Sequence, residues 1–438
     1  MSEYSVYEQI LLYLSVFSSF GVRENYSDYL IKENWIKLQE NYPYLYNYET
    51  VVGKSDNTYS DNVPLKYELN YKGDSMKEYL NEIISLLSKE SLLPERLSKK
   101  HSLLAYAKVQ LKNETYTLFS LYTPHGRTDF KSISFIVTSF LNSFDDISTI
   151  YPMESMSKVI IEKNLLPKVE ERQSLIEKYF NYKQTLQIDF SKLKENIQME
   201  NEEKKNVENE ENDNNQTPYL ISETIKISKE QMKIITEYCK SNNLSTQALL
   251  YAAYLKASME LFQSNQTEAD VVNFQIIYDQ RKPAVNNEKC IGLFAEGTYP
   301  YLTIDALNKS ILDISKELTQ RIRKVTSLEN EELRRYRIEC YYINKELYTI
   351  QFSLSATNMG KFKVLEDLSD NIKEKFVDYH FLNGLRYPIT CDYKKTEIHM
   401  YGLFDGTCNI SLSYPKYNIP SVYVAKLLNR IKDIMLNL

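Results

Sequence analysis

The segment of residues 115–144 constrains the fold most, because its pattern changes from that of a strand to that of a helix. Residues 115–122 are rich in β-branched and aromatic side chains, which is typical of a strand. A proline and a glycine then interrupt the pattern within residues 124–129. Apolar residues recur afterwards at the three- and four-residue spacing of one helix face: Phe130, Ile133, Val137, Phe140, Leu141 and Phe144. The segment predicts a strand, a tight polar turn that carries His125 and Asp129, and an amphipathic helix.

Length and charge narrow the class of protein. A chain of 438 residues is too long for one small core, so two domains are expected. A hydrophobic content of 43% and a charged content of 26% are typical of a globular protein. The net charge of −6 argues against nucleic acid as a partner.

The cysteines and histidines argue against a structural metal site. The five cysteines are widely spaced and form no CxxC pair, which favours a reduced, intracellular protein. The histidines show no ligand-like spacing: His101, His125, His380 and His399. We therefore expect neither a metal nor a bound cofactor.

The N-terminal region lacks the marks of a signal peptide, because the residues after Met1 form no basic segment. Residues 10–22 are apolar but too few to span a bilayer. We predict a core helix over residues 6–20. A helix that lies on a membrane surface is the alternative.

A composition shift separates the two halves of the chain. Residues 192–217 are rich in Glu and Asn and almost free of large apolar side chains, which predicts a flexible acidic linker. A surface helix in its first half is the alternative. We expect an N-terminal lobe over residues 1–191 and a C-terminal lobe over residues 218–438.

Local signals place further elements in both halves. Apolar spacing predicts helices over residues 31–41 and 76–92, and residues 271–278 resemble a buried strand. Helix starts and a hairpin are indicated by four signals: the Ser228–Gln231 capping box, Ser245, the Asp405-Gly406 turn and Pro420. Strands thus mix with long helices, and the fold class is α/β in two lobes.

The pair of His125 and Asp129 is the most chemically suggestive feature, although such a pair alone often arises by chance. Its place in a turn after a strand favours a site, because a rigid scaffold can present such a turn to a cleft. A neutral imidazole suits general-base chemistry near neutral pH.

The chain resembles the CoA-dependent acyltransferase superfamily, which includes alcohol acetyltransferases and peptide-synthetase condensation domains. The fungal alcohol acetyltransferase type is the most similar. The family motif is H-x-x-x-D-G, and here it reads His125-Gly126-Arg127-Thr128-Asp129-Phe130. Weaker matches follow in the family's order along the chain: WIKLQENYPYL, LSTQALLYAAYLKA, VVNFQIIYDQRKP and LSATNMGKF.

The resemblance implies two chloramphenicol-acetyltransferase-like lobes, with mixed sheets flanked by helices and the active site in a tunnel between them. His125 would be the general base, and Asp129 would pair structurally with Arg281 from the second lobe. Asn358 and Gly360 would line the acceptor side. Acetyl-CoA would be the co-substrate, and no covalent acyl-enzyme is implied.

Two residues depart from the family pattern. Pro124 stands where condensation domains carry a first histidine, which disfavours a stand-alone condensation enzyme. Phe130 replaces the motif glycine, and this favours a second alternative, a catalytically silent relative that binds a ligand or partner.

The sequence therefore predicts an acetyltransferase that modifies the hydroxyl or amine of an apolar acceptor. We expect a monomer in the cytoplasm, with contact to the endoplasmic reticulum or lipid droplets as the alternative.

Overall fold

A computed structural model describes most of the chain. The described residues are 14–45, 62–93, 102–125, 128–153, 184–212, 220–279, 289–292, 295–298, 300–326, 353–361, 363–385, 396–416 and 418–438. The helices are α1 (Asp28–Asn41), α2 (Met76–Ser91), α3 (Phe130–Asn142), α4 (Asn201–Asn212), α5 (Lys229–Ser241), α6 (Thr246–Leu261), α7 (Ile311–Thr326), α8 (Asp370–Lys375) and α9 (Ser421–Leu436).

The strands alternate with these helices along the chain. They are β1 (Leu14–Val22), β2 (Leu65–Lys66), β3 (Leu103–Leu111), β4 (Glu114–Pro124), β5 (Ile188–Leu193), β6 (Leu220–Ile227), β7 (Phe262–Ser264), β8 (Val271–Asp279), β9 (Ala295–Thr298), β10 (Tyr301–Thr303), β11 (Leu354–Lys361), β12 (Phe376–Leu385), β13 (Glu397–Gly402) and β14 (Cys408–Pro415). The prediction of an α/β chain in two lobes is confirmed.

The first sheet builds the first lobe and has the order β12-β1-β4-β3-β2 in the described residues. Its β1, β3, β4 and β12 pair antiparallel, whereas β2 runs parallel to β3. One edge strand, β12, comes from the second half of the chain and pairs with β1 from Leu14↔Leu385 to Phe20↔Tyr379. The chain therefore returns to the first lobe after building most of the second.

The helix predicted over residues 6–20 is wrong for residues 14–20, because they belong to the strand β1. Residues 6–13 lie outside the described residues. Both faces of β1 are buried. Val16 and Phe20 pack in one apolar cluster, and Phe17 packs in another on the opposite face. Ser18 and Ser19 are also fully buried at consecutive positions. The sequence of β1 therefore lacks the alternation of apolar and polar residues by which a half-buried strand is predicted.

The second sheet builds the second lobe with the order β10-β8-β11-β13-β14-β6, and β9 pairs with β8. Strands β8, β11 and β13 are parallel, and β13 and β14 form the predicted hairpin. Gly406 in its turn has a φ of +87°, which favours glycine. The hairpin prediction is confirmed.

The helices of the second lobe begin at the predicted caps. Ser228 and Gln231 form the full capping box of α5, and the Ser245 side chain accepts from the Ala248 N–H at the start of α6. Helix α6 packs at the centre of this lobe, where its alanines allow close approach. Its small residues are fully buried: Ala248, Ala252, Ala253 and Ala257.

The segment predicted to be a flexible acidic linker contains ordered elements. Strand β5 ends within the segment's first two residues and pairs with β7, and α4 spans the middle of the segment, across both of its halves. Helix α4 contacts α9 through the Glu203–Lys426 ion pair at 2.8 Å. Val207 is its one clearly apolar anchor and is 8% exposed, which is too weak a pattern to reveal a helix from the sequence.

The two lobes meet along the free edge of β12. The Asn409 side chain donates from Nδ2 to the Tyr379 carbonyl at 3.0 Å, and the Ser411 hydroxyl donates to the Phe381 carbonyl at 3.1 Å. An unpaired strand edge presents open backbone groups, and these side chains of β14 satisfy two of them. Among the described residues, no helix combines the length and apolar character needed to cross a bilayer.

Candidate active site

The motif turn joins β4 to α3 as predicted. Strand β4 ends at Pro124, and α3 begins after Asp129, whose Oδ1 accepts a hydrogen bond from the Ser132 N–H at 2.9 Å. An aspartate at this position stabilises a helix by satisfying one of its free N–H groups and by favourable charge at the helix N-terminus. Asp129 therefore fixes where the helix starts relative to His125.

His125 is held in one tautomer by the backbone of its own turn. Its Nδ1 lies 2.6 Å from the Thr128 carbonyl oxygen, which can only accept, so Nδ1 carries the proton. The neutral imidazole then keeps its lone pair on Nε2. The His125 side chain is buried, since the residue is only 9% exposed. Its Nε2 can therefore accept a proton while Nδ1 stays bound to the Thr128 carbonyl.

The pKa of His125 lies below its usual value of 6.5. Burial is the main cause, since it disfavours the charged imidazolium. The charge of Asp129, the hydrogen bond to Thr128 and the charge of Glu397 act in the opposite direction. His125 is therefore neutral at pH 7 and can act as a base.

Thr128 braces the turn and was not recognised from the sequence. Its hydroxyl lies 2.7 Å from the Thr123 hydroxyl and also donates to the Pro124 carbonyl at 3.0 Å. The side chain thus ties the end of the strand to the start of the helix. The threonine lies inside the motif at a variable position, so no pattern in a single sequence marks it.

Residues from the second half of the chain contact the start of α3. Lys131 Nζ lies 3.0 Å from Asp279 Oδ2 at the end of β8. The Ser132 hydroxyl donates to the Gly292 carbonyl at 2.6 Å and accepts from the Gly292 N–H at 2.9 Å. The start of α3 therefore contacts both the end of β8 and Gly292. Arg281, predicted to pair with Asp129, lies outside the described residues.

Phe130 fills space between the lobes at the position where the motif has glycine. Its ring lies perpendicular to that of Phe381 with centroids 4.0 Å apart. The rings of Tyr379 and Tyr401 lie further away, at 6.5 and 5.9 Å. The Phe130 ring therefore packs against aromatic side chains of β12 and β13.

Asn358 and Gly360 lie at a bulge near the end of β11. The Asn358 N–H donates to Gln247 Oε1 at 2.8 Å, and its side chain accepts from the Gly360 N–H at 3.0 Å. Gly360 has a φ of +68°, which explains the glycine. Their role at the acceptor side stays a prediction.

A second ionisable pair, Glu397 and His399, lies on β13 and was not singled out from the sequence. His399 Nε2 lies 3.3 Å from Glu397 Oε1. The charge of Glu397 also acts on the pKa of His125. In a strand, residues 397 and 399 lie on the same face, so the sequence places the two side chains side by side. The sequence does not show that this face of β13 meets the other lobe.

Two of the described cysteines, Cys239 and Cys408, are poor nucleophiles. Burial raises the pKa of Cys239, and it raises the pKa of Cys408 to about 12. Within the described residues, no three His, Cys, Asp or Glu side chains are grouped to ligate a metal ion.

Comparison with solved structures identifies the fold. Polyketide synthase associated protein 5 from Mycobacterium tuberculosis matches with a TM-score of 0.62 at 12% identity, over 99% of this chain and 96% of that one. The trichothecene 15-O-acetyltransferase of Fusarium sporotrichioides matches with a TM-score of 0.60 at 10% identity, over 99% and 94%.

A condensation domain is similar to the same extent. The first condensation domain of the calcium-dependent antibiotic synthetase, solved with a substrate analogue, matches with a TM-score of 0.60 at 8% identity, over 100% of this chain and 96% of that one. No family model and no curated protein matches the sequence. The chain therefore has the two-lobed fold that condensation domains share with acyltransferases such as the trichothecene enzyme.

Proposed function

We propose that this protein transfers an acetyl group from acetyl-CoA to the hydroxyl or amine of an apolar acceptor, as the fungal alcohol acetyltransferase type does. The observation that carries the proposal is the state of His125. The Thr128 carbonyl holds the proton on Nδ1, and burial keeps the ring neutral. Nε2 is thus available to accept a proton from the acceptor.

The reaction requires one base and no covalent acyl-enzyme. His125 Nε2 removes the acceptor proton while the acceptor oxygen or nitrogen forms a bond to the thioester carbonyl carbon. The tetrahedral oxyanion then collapses, the carbon–sulfur bond breaks, and the proton on Nε2 passes to the CoA sulfur. Hydrogen-bond donors near the oxyanion would lower the barrier. The buried, poorly ionised Cys239 and Cys408 are not needed.

We further propose that Asp129 pairs with Arg281. Asp279 lies two residues before Arg281, and its carboxylate contacts Lys131, two residues after Asp129. The chain therefore passes the motif turn immediately before Arg281. A bidentate Arg–carboxylate pair there would link the two lobes at the catalytic turn.

The resemblance to the CoA-dependent acyltransferases also supports a shared site between the two lobes. Acetyl-CoA and the acceptor enter a tunnel between the lobes, with Asn358 and Gly360 on the acceptor side. The protein acts as a monomer in the cytoplasm. Contact with the endoplasmic reticulum or lipid droplets is the alternative.

A condensation-type reaction is the second candidate, because condensation domains share the fold. Such an enzyme would take its acyl group from a phosphopantetheine carrier. Pro124, at the position of the first histidine of condensation domains, disfavours it. A silent binder is the third candidate, since Phe130 packs where the motif glycine would leave space.

The test is the release of free CoA from acetyl-CoA in the presence of alcohols, sterols and long-chain amines. Wild type, His125→Ala and His380→Ala are compared, and circular dichroism checks that each is folded. His380 is a matched control, because it is also buried but contacts Asn81 instead of the motif turn.

We expect acceptor-dependent release that falls at least about 100-fold in His125→Ala and persists in His380→Ala. Equal release by wild type and folded His125→Ala would refute His125 as the base. Transfer from an acylated carrier protein without transfer from acetyl-CoA would favour the condensation-type reaction. No transfer from either donor would favour the silent binder.

A further inference from the structure

Strand β11 loses one of its two neighbours before it ends. Its ladder with β8 stops at the pair Ala356↔Ile276, whereas its ladder with β13 continues to Lys361. From Asn358 to Lys361 the strand advances three residues while β13 advances two, so one extra residue forms a bulge. Among the described strands, none pairs with this bulge on the side of β8.

Two side chains of α6 take the place of β8 along this edge. The Gln247 amide donates from Nε2 to the Ala356 carbonyl at 3.2 Å and accepts at Oε1 from the Asn358 N–H at 2.8 Å. Tyr251, one turn later on the same face of α6, accepts at its hydroxyl from the Ala356 N–H at 2.8 Å. Gln247 thus satisfies a carbonyl and an N–H of β11 together, as a paired strand would.

The bulge lies at the junction of the lobes and has open space beside it. Met359 packs against the apolar cluster of the first lobe, and Phe130 of the motif helix packs against the same cluster. Gly360 is exposed, and a Cβ at this position would meet no atom within 4 Å. The Gly360 N–H donates to Asn358 Oδ1 at 3.0 Å. The bulge therefore combines a fixed backbone with access from outside.

We propose that Gln247 is a positioning residue for the acceptor. It holds the bulge of residues 358–360 in the shape that receives the acceptor, and the bulge itself makes the contact. This inference rests on the proposed function, in which Asn358 and Gly360 lie on the acceptor side. Without Gln247 the bulge would have a partner on one edge only, and acceptor binding would then be opposed by the conformational entropy lost on ordering it.

The first measurement is hydrogen exchange of the amides in residues 354–361, followed by mass spectrometry of peptides. Gln247→Leu keeps the size of the side chain but removes both of its hydrogen bonds. Gln247→Ala is the second variant, because it rules out an effect of the leucine itself. We expect exchange of this segment to become at least about 10-fold faster in both variants.

Gln39→Leu is the matched control. Gln39 is also a glutamine on a helix whose Nε2 donates to a backbone carbonyl, that of Trp35 at 3.3 Å, but it lies in α1 of the first lobe. Its replacement should leave the exchange of residues 354–361 unchanged. This comparison separates the local effect of Gln247 from a general loss of stability.

The second measurement compares the KM for a 1-alkanol acceptor with the KM for acetyl-CoA. In Gln247→Leu we expect the KM for the 1-alkanol to rise about 10-fold, the energy of about one hydrogen bond. The KM for acetyl-CoA and kcat should each change less than about twofold. A purely structural role would change both KM values or neither.

Protection of residues 354–361 that persists in both Gln247 variants overturns the inference, and equal changes in the two KM values do so as well. If wild type transfers no acetyl group, the proposed function fails, and binding of the 1-alkanol is measured by calorimetry instead. Binding that weakens about 10-fold in Gln247→Leu but not in Gln39→Leu supports the inference. Unchanged binding, or no binding by wild type, overturns it.

Discussion

At the scale of single residues, the turn that carries His125 is held mainly by hydrogen bonds to backbone groups. The Thr128 carbonyl sets the tautomer of His125, and the Asp129 carboxylate sets the start of α3. The sequence predicted His125 and Asp129, because their spacing and the strand-turn-helix pattern are local signals. It could not predict Thr128, Glu397 or His399, because their importance depends on which groups the fold brings near them.

The burial of His125 predicts how the rate of acetyl transfer falls as the pH is lowered. A base whose pKa lies below 6.5 stays active at pH 7 and loses activity only as pH falls through that lowered value. We expect kcat/KM for acetyl transfer to fall with a midpoint below pH 6.5. A midpoint at or above 6.5 would show that burial does not control this group.

The same shift has a defined effect on stability. The folded protein holds His125 neutral where the unfolded chain would protonate it, so the unfolded chain binds more protons below pH 6.5. The free energy of unfolding should therefore fall as pH drops through this range. His125→Ala should remove that part of the slope, which chemical denaturation at several pH values would measure.

At the scale of elements, local signals were sufficient where a cap or a turn marks the element and insufficient where burial on both faces decides the structure. The caps of α5 and α6, the β13–β14 hairpin and α9 follow from a few neighbouring residues. Strand β1 lies between β4 and β12 with apolar groups on both faces, so its pattern resembles that of a buried helix. Tertiary contacts, not local propensity, decide its structure.

The edge of β12 gives a prediction at this scale. Asn409→Ala removes hydrogen bonds from Nδ2 to the Tyr379 carbonyl at 3.0 Å and to Asp378 Oδ1 at 3.3 Å. Because Asn409 is 1% exposed, water cannot easily replace them. We expect a loss of about 1–2 kcal/mol in the free energy of unfolding, measured by urea denaturation.

Asn437→Ala is the control for this substitution. Asn437 also donates from Nδ2 to a backbone carbonyl, that of Asp433 at 2.9 Å, but it is exposed at the end of α9. Its loss should cost less than about 0.5 kcal/mol. Similar effects for the two variants would mean that the hydrogen bonds at the β12 edge do not hold the lobes together.

At the scale of the whole molecule, the two lobes exchange strands. Strand β5 lies in the first half of the sequence but pairs with β7 of the second half, and β12 returns from the second half to pair with β1. A composition shift near residue 192 predicts a boundary between lobes, but it cannot show these exchanges. Pairing between distant strands is not encoded in local pattern, so only the structure reveals it.

This exchange predicts that neither half of the chain folds alone. A fragment of residues 1–196 would lack β12, which leaves the edge of β1 open and removes Tyr379 and Phe381 from the core of the first lobe. The complementary fragment 197–438 would lack β5, whose Ile188 and Phe190 pack in the core of the second lobe. Each fragment should show no cooperative thermal transition by calorimetry, whereas an equimolar mixture should regain one. A cooperative transition in the isolated 1–196 fragment would show instead that the first lobe is complete without β12, and the lobes would then be independent folding units joined by a linker.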